Sequence, residues 1–315
     1  VIFNLKRCGY FKRALLISAS TLAVHIVPAY GSDVVPVESK TAKLSSVQLE
    51  MQKRSSNMAV WHKMLMPNET YIIPVKSGQF AKLDGEFVDD LRWTAPNEAG
   101  NHRLEIFSND GSLARTLTVF VLEPSTSIDD RGYLGKYRIG FYPKNTPKGF
   151  IKLDKGEGAL PVSPNFKVGQ FLCKQQPGTW PKYVLVSADN LVRLETLLQD
   201  LNENRDADAD TLFVMSGFRT PFYNTAIGSA KFSRHMYGDA ADVYLDTKPR
   251  DGVMDDINRD GQITKADANF MYDYARALFK KEGLVQGGIG SYKANAVHGP
   301  FVHIDARGRA ARWGR

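Results

Sequence analysis

Two histidines and a carboxylate on separated stretches of the last third of this chain are enough to hold one metal ion. The stretches are Ser216-Gly-Phe-Arg219, Ser233-Arg-His-Met-Tyr-Gly-Asp-Ala-Ala-Asp242 and His298-Gly-Pro-Phe-Val-His-Ile-Asp305. Two neutral imidazoles and one carboxylate leave a divalent zinc with net positive charge and an open fourth position. That is the pattern of catalytic rather than structural zinc, and a water held there ionises near neutral pH. A structural zinc draws on cysteine, and none follows Cys173. Of the six histidines in the chain, His235, His298 and His303 fall in these stretches. For any one of them alone, the competing reading is an ordinary polar residue near a core.

The elements that must position these groups follow from local pattern. His235 and Asp242 flank a bend containing Gly238, and Ala240 to Leu245 reads as a strand of small and β-prone residues. On residues 301–305 a period of two puts Val302 and Ile304 on one face and Phe301, His303 and Asp305 on the other, so His303 can point into a cleft. Leu191, Leu194, Leu197, Leu198 and Leu201 recur at helical spacing, which predicts an amphipathic helix from Ala188 to about Asn204. Residues 212–215 read as a buried strand that delivers Arg219 at its end.

A second oxygen-rich motif lies between Asp242 and His303. Asp256, Asn258, Asp260 and Asp267 take the first, third, fifth and twelfth positions of a twelve-residue loop, 256–267. Gly261 is at the sixth, the Gln262 carbonyl at the seventh and Thr264 at the ninth. The pattern resembles the calcium loop of EF-hand and dockerin-like proteins, and predicts a structural calcium beside the zinc cleft. A single loop argues against a calcium sensor, and the plain alternative is an acidic turn. Residues 265–281 read as the exiting helix, with Phe270, Tyr274 and Leu278 on one face.

At the other end, Lys6, Arg7, Lys12 and Arg13 precede an apolar run that closes on Ala29-Tyr-Gly31, which predicts a secretory signal peptide over 1–31. A retained membrane anchor is the runner-up. Cleavage removes four basic and no acidic residues, so the net charge falls from +7 to +3. The basic pI is then largely a targeting effect, and nucleic acid is not an expected partner. No membrane span is expected after cleavage, and the expected location is periplasmic or secreted, in a bacterium. Only Cys173 remains, which excludes an intramolecular disulfide.

Residues 32–64 are polar and mixed and read as a lead-in, with a short helix opening near Ser45. From 65 to 124, short β-branched and aromatic runs alternate with turn signals such as Asn109-Asp-Gly111, which predicts a small all-β, immunoglobulin-like sandwich. Residues 125–315 form the expected zinc-binding α+β domain, entered through Pro- and Gly-rich loops or short strands up to about 180.

Taken in order, SGFRTP, SRHMYGDAAD and HGPFVHID followed by Arg312-Trp313 resemble the zinc D-alanyl-D-alanine peptidase family. Its fold is shared with the hedgehog signalling domain and with murein endopeptidases. The resemblance covers about 166–313 and implies an antiparallel sheet with helices. It implies zinc on His235, Asp242 and His303, Arg219 on the substrate carboxylate or oxyanion, and His298 as a second active-site histidine. The implied substrate is peptidoglycan peptide, with D-Ala-containing bonds, cut by a carboxypeptidase or an endopeptidase. Other branches carry a Glu three residues before the last ligand, where this chain has Pro300. The general base is therefore open among Asp305, Asp239 and His298, with His298 favoured. The rival readings are a non-catalytic wall-binding protein and a calcium-stabilised adhesion protein or scaffold.

Overall fold

The longest strands come from the segment with the clearest alternation. In the computed structural model, which describes residues 46–247, 249–284 and 286–315, the strands Gly100–Ser108 and Leu113–Val121 form a hairpin. Its turn uses Gly111 at φ 81°, with Asp110 accepting the Ser112 N–H at 2.9 Å. The expected signal segment, Cys8 and residues up to 45 lie outside the described residues. Among the described residues no helix is long and apolar enough to cross a membrane.

Helix α1 (Ser46–Asn57) leads into β1 (Val60–Leu65). The strands β2 (Thr70–Ile72), β3 (Gln79–Leu83), β4 (Glu86–Phe87), β5 (Arg92–Thr94), β6 (Gly100–Ser108) and β7 (Leu113–Val121) follow. They make a five-stranded sheet in the order β1-β7-β6-β3-β4 and a two-stranded sheet of β2 and β5. The sheet therefore begins at Val60, inside the stretch that composition assigned to the lead-in. Lys63 interrupts the apolar run there, yet Trp61, His62 and Leu65 are buried and the strand pairs with β7 in parallel.

The second face of β1 and β7 is covered by later chain. His62 Nδ1 lies 2.8 Å from the Val162 carbonyl, and Thr118 Oγ1 donates to the Pro161 carbonyl at 2.7 Å. From 46 onward the described residues accordingly form one compact unit around one continuous apolar cluster. Short strands carry the chain onward, namely β8 (Glu123–Pro124), β9 (Tyr133–Leu134), β10 (Tyr137–Arg138), β11 (Gly149–Leu153) and β12 (Lys182–Val184).

Helix α2 (Ala188–Arg205) has the expected bounds to within a residue. Ser187 Oγ caps it, accepting the Asn190 N–H, and its five leucines are buried. It packs beneath a sheet of β13 (Phe213–Ser216), β14 (Ala240–Tyr244), β15 (Gly288–Tyr292), β16 (Phe301–Asp305) and β17 (Ala311–Trp313). The spatial order is β13-β14-β16-β15-β17. Four strands run antiparallel, but β17 joins β15 in parallel, so the sheet is not wholly antiparallel. Strand β13 is an end strand rather than the buried strand expected from its apolar run, and Phe213 is 38% exposed.

A short helix, α3 (Pro221–Ala226), follows Arg219, and α4 (Lys265–Lys281) covers β15 and β16. The buried face of α4 is Ala268, Met271, Tyr272, Ala275, Leu278 and Phe279. Of the expected face only Leu278 belongs to it. Phe270 and Tyr274 stack on each other at the margin, with ring centroids 6.3 Å apart.

Candidate metal centre

His235 sits in a tight 3-10 turn, Arg234–Tyr237, that ends on Gly238 at φ 69°. A Cβ on Gly238 would meet the Leu185 backbone at 2.5 Å, so only glycine lets this turn press against the strand end behind it. The chain then enters β14, where Asp242 is fully paired on both sides. Its cross-strand partner on β16 is His303, and on β13 it is Ser216.

Register extends the row across the sheet. Gly290 of β15 pairs with His303, and Trp313 of β17 pairs with Gly290. Ser216, Asp242, His303, Gly290 and Trp313 thus form one line over five strands, on one face. Gly290 leaves room for the Trp313 indole, whose ring centroid lies 5.2 Å from that of His303. Trp313 Nε1 donates to the Tyr292 hydroxyl at 2.8 Å.

His235, Asp242 and His303 are all buried, and their ligand atoms lie within 4.8 Å of one another. Each is aimed from behind. His235 Nδ1 donates to the Gly217 carbonyl at 2.7 Å, which leaves Nε2 as the ligand atom. His303 points Nδ1 at Asp242 Oδ1, 2.8 Å away, while Nε2 lies 3.0 Å from Asp305 Oδ2. Asp242 turns Oδ2 to Arg219 Nη2. The set is two imidazole nitrogens and one carboxylate oxygen, each oriented by an outer partner, and it fits a catalytic-type zinc.

In the metal-free chain the two histidines differ, and a metal at His303 must displace a proton. Burial pushes the His235 imidazole below its ordinary value, so it is neutral. Burial also works against the charge on Asp242, but His235 and His303 outweigh it and hold that carboxyl well below the usual range. For His303 burial lowers and the hydrogen bonds to Asp242 and Asp305 raise, and the balance is pushed up to about 8. Asp305 stays ionised against its burial because His303 and Arg307 contact it.

The two expected catalytic side chains border one cleft of about 290 Å³, with Ser216, Tyr223, Tyr244, Val297 and Gly299. Arg219 is committed on one side: Nε donates to Ser216 Oγ at 2.8 Å and Nη2 holds Asp242. His298 is fixed through both ring nitrogens. Nδ1 donates to the Gly299 carbonyl at 2.8 Å, and Nε2 accepts from Asn295 Nδ2 at 2.8 Å.

Asp305 and Asp239 are not placed to act as base. Asp305 is completely buried behind His303, where it also accepts the Gly288 N–H at 2.8 Å. Asp239 pairs with Arg234 and borders a different hollow. Of the three candidates, His298 alone borders the cleft.

The loop 256–267 is built differently from a converged metal cage. Asp256 accepts the N–H groups of Asp260 and Gly261, at 3.1 and 2.7 Å. Asp260 accepts from Gln262 N–H and from Asn258 Nδ2. Asp267 spends both oxygens on the Asn258 and Thr264 N–H groups, the latter as a helix capping box. Among the described residues the His235, Asp242 and His303 group is the one cluster of at least three such side chains with converging ligand atoms.

Sequence reasoning quoted Ser216, Gly217 and Trp313 within its motifs but gave them no role in the site. Local pattern does not show what they do there, since each reaches the site through pairing with a distant strand or turn. Asp305 was legible as sharing a face with His303, but its burial was not.

No curated protein matches this chain. Residues 164–270, about a third of the sequence, match the family model described as Peptidase M15, a span that contains Arg219, His235 and Asp242 and stops short of His298 and His303.

Proposed function

We propose that this protein is a zinc metallopeptidase that hydrolyses peptide bonds in peptidoglycan stem peptides or cross-links, with preference for D-Ala-containing bonds. The observation that carries the reading is the three-donor group of His235, Asp242 and His303 beside a cleft bordered by Arg219 and His298. Support also comes from the match of residues 164–270 to Peptidase M15. The expected signal segment supports a periplasmic or secreted location.

Zinc bound there supplies a Lewis acid and a water of lowered pKa. The chain does the rest. Gly217 and Asp305 fix which nitrogen each histidine presents. Arg219 holds Asp242 Oδ2 through Nη2 and borders the cleft, where, by letting go of the long Nη1 bond to Ser229 Oγ at 3.4 Å, it can hold a substrate carboxylate or an oxyanion. His298 takes a proton at Nε2 once the Asn295 amide lets go of it.

A non-catalytic wall-binding protein is the second reading, favoured by one observation: Pro300, buried, stands where other branches have a Glu. Digestion of defined muropeptides with and without chelator separates the two. Metal-dependent cleavage products are expected, and their absence removes the peptidase reading.

Two further parts belong to the proposal. The β1 to β7 module is an immunoglobulin-like spacer, supported by the order β1-β7-β6-β3-β4 and by the parallel pairing of its first and last strands. The 256–267 loop takes a structural calcium, supported by the spacing of Asp256, Asn258, Asp260 and Asp267. Calcium added to metal-stripped protein should raise the Tm, and an unchanged Tm removes the site.

A further inference from the structure

The cleft bordered by Arg219 and His298 continues along the edge of the sheet. At its far end it is bordered by Lys174, Phe213, Met215 and Gly252. The same four residues border a second hollow of about 550 Å³, which runs on past Gln170 to Arg250. Phe213, Met215 and Ser216 all belong to β13, the end strand of the site sheet. An end strand can offer its outer N–H and C=O groups to an added extended chain, while alternate side chains find pockets beside it. The walls suit such a chain, since Phe213, Ile227 and Val297 are 38%, 47% and 90% exposed.

Charge selects what that chain carries. The carboxylate bordering these hollows, Asp246, is buried and already accepts the Asp251 and Gly252 N–H groups at 3.1 and 3.0 Å. Arg219 is held by Asp242, and Arg250 by Asp210. Lys174 is exposed at the junction of the two hollows, and among the described residues no carboxylate pairs with it. An ammonium there gives a charge-assisted contact to any carboxylate one segment away from the metal.

We propose that the groove binds an extended acidic peptide along β13, with a free carboxylate of the substrate on the Lys174 ammonium. This rests on the peptidase reading of the metal group and adds a substrate class to it. The contact is part-exposed, so its expected effect is about fivefold in affinity, the upper end for such pairs.

The test uses the full chain kept metal-free by chelator, so that no turnover intrudes. Fluorescein-labelled pentapeptides carrying Glu at each position in turn are compared with their Gln counterparts by anisotropy at low salt. The Glu peptide should bind about fivefold tighter at one position. The preference should vanish in Lys174→Met and persist in Lys174→Arg. Equal affinity for Glu and Gln peptides at every position, no binding of either, or a preference that survives in Lys174→Met overturns the proposal. Zinc-dependent cleavage is assayed separately: its absence with the preference intact would sink the peptidase reading and leave the acidic-peptide groove standing.

Discussion

His303 and Asp305 meet through Nε2 and Oδ2 at 3.0 Å, although only Ile304 separates them in sequence. Strand alternation puts both on one face, and burial removes water from the contact. The carboxylate thereby decides that His303 presents Nδ1 to Asp242. Arg307 and the Gly288 N–H in turn hold the carboxylate. The ligand is oriented by a chain of contacts, each ending in a charge or a backbone amide.

Asp305→Asn keeps a carbonyl for these donors but loses the charge. Zinc affinity should fall by about 10- to 100-fold, the usual effect of losing an outer partner of a ligating histidine. Competition against a chromophoric chelator measures it. An unchanged zinc Kd would remove Asp305 from its positioning role.

Arg219→Ala leaves the Asp242 carboxylate buried without its cation. Turnover of a muropeptide should drop by about 100-fold or more if the guanidinium also meets the developing oxyanion. Wild-type turnover in a variant with an intact circular dichroism spectrum would reduce Arg219 to a structural ion pair.

His62 gives a pH signature away from the metal. Burial holds its folded-state pKa below the ordinary 6.5, against the pull of the Val162 and Val186 carbonyls and with help from Lys63. The unfolded chain therefore binds the proton first, and the stability from neutral His62 is complete above 6.5 and lost as pH falls through the folded value. In metal-free protein His235 adds a loss of the same sign. His303 has the opposite sign, its contribution being present below 6.5 and lost as pH rises through about 8. His62→Gln should flatten only the acid limb. Superimposable Tm against pH curves for the two proteins would refute the assignment.

Gly238→Ala combines left-handed strain with a clash against the Leu185 backbone. The strain alone costs about 1–2 kcal/mol, and the clash adds to it. The urea midpoint should fall, and zinc affinity with it, because the same turn carries His235. A wild-type midpoint would show that the turn can move away at no cost.

Much of this site could be read before folding. His235, Asp242 and His303 are set apart by residue type, and alternation on residues 301–305 placed His303 and Asp305 together. The leucines of α2 announced their helix because burial on one side imposes a period on local sequence. The same logic misjudged β13 and α4. An apolar run does not say whether its strand has a neighbour on both edges, and the margin of a helix face depends on what packs over it. Strand β1 was missed because its partner, β7, lies far along the chain, Val60 pairing with Thr116.

Sequence alone determined which groups can bind a metal, since ligand chemistry belongs to the side chain and survives any fold. It also determined the turn at Gly238, because the left-handed backbone needs a residue without Cβ. Tertiary structure decided the rest. Register alone put Ser216, Asp242, His303, Gly290 and Trp313 in one row, and a slip of one residue would have sent Asp242 or His303 to the opposite face. Burial alone took Asp305 away from the cleft and set it against His303. Both are properties of distant chain brought together, which no local spacing encodes.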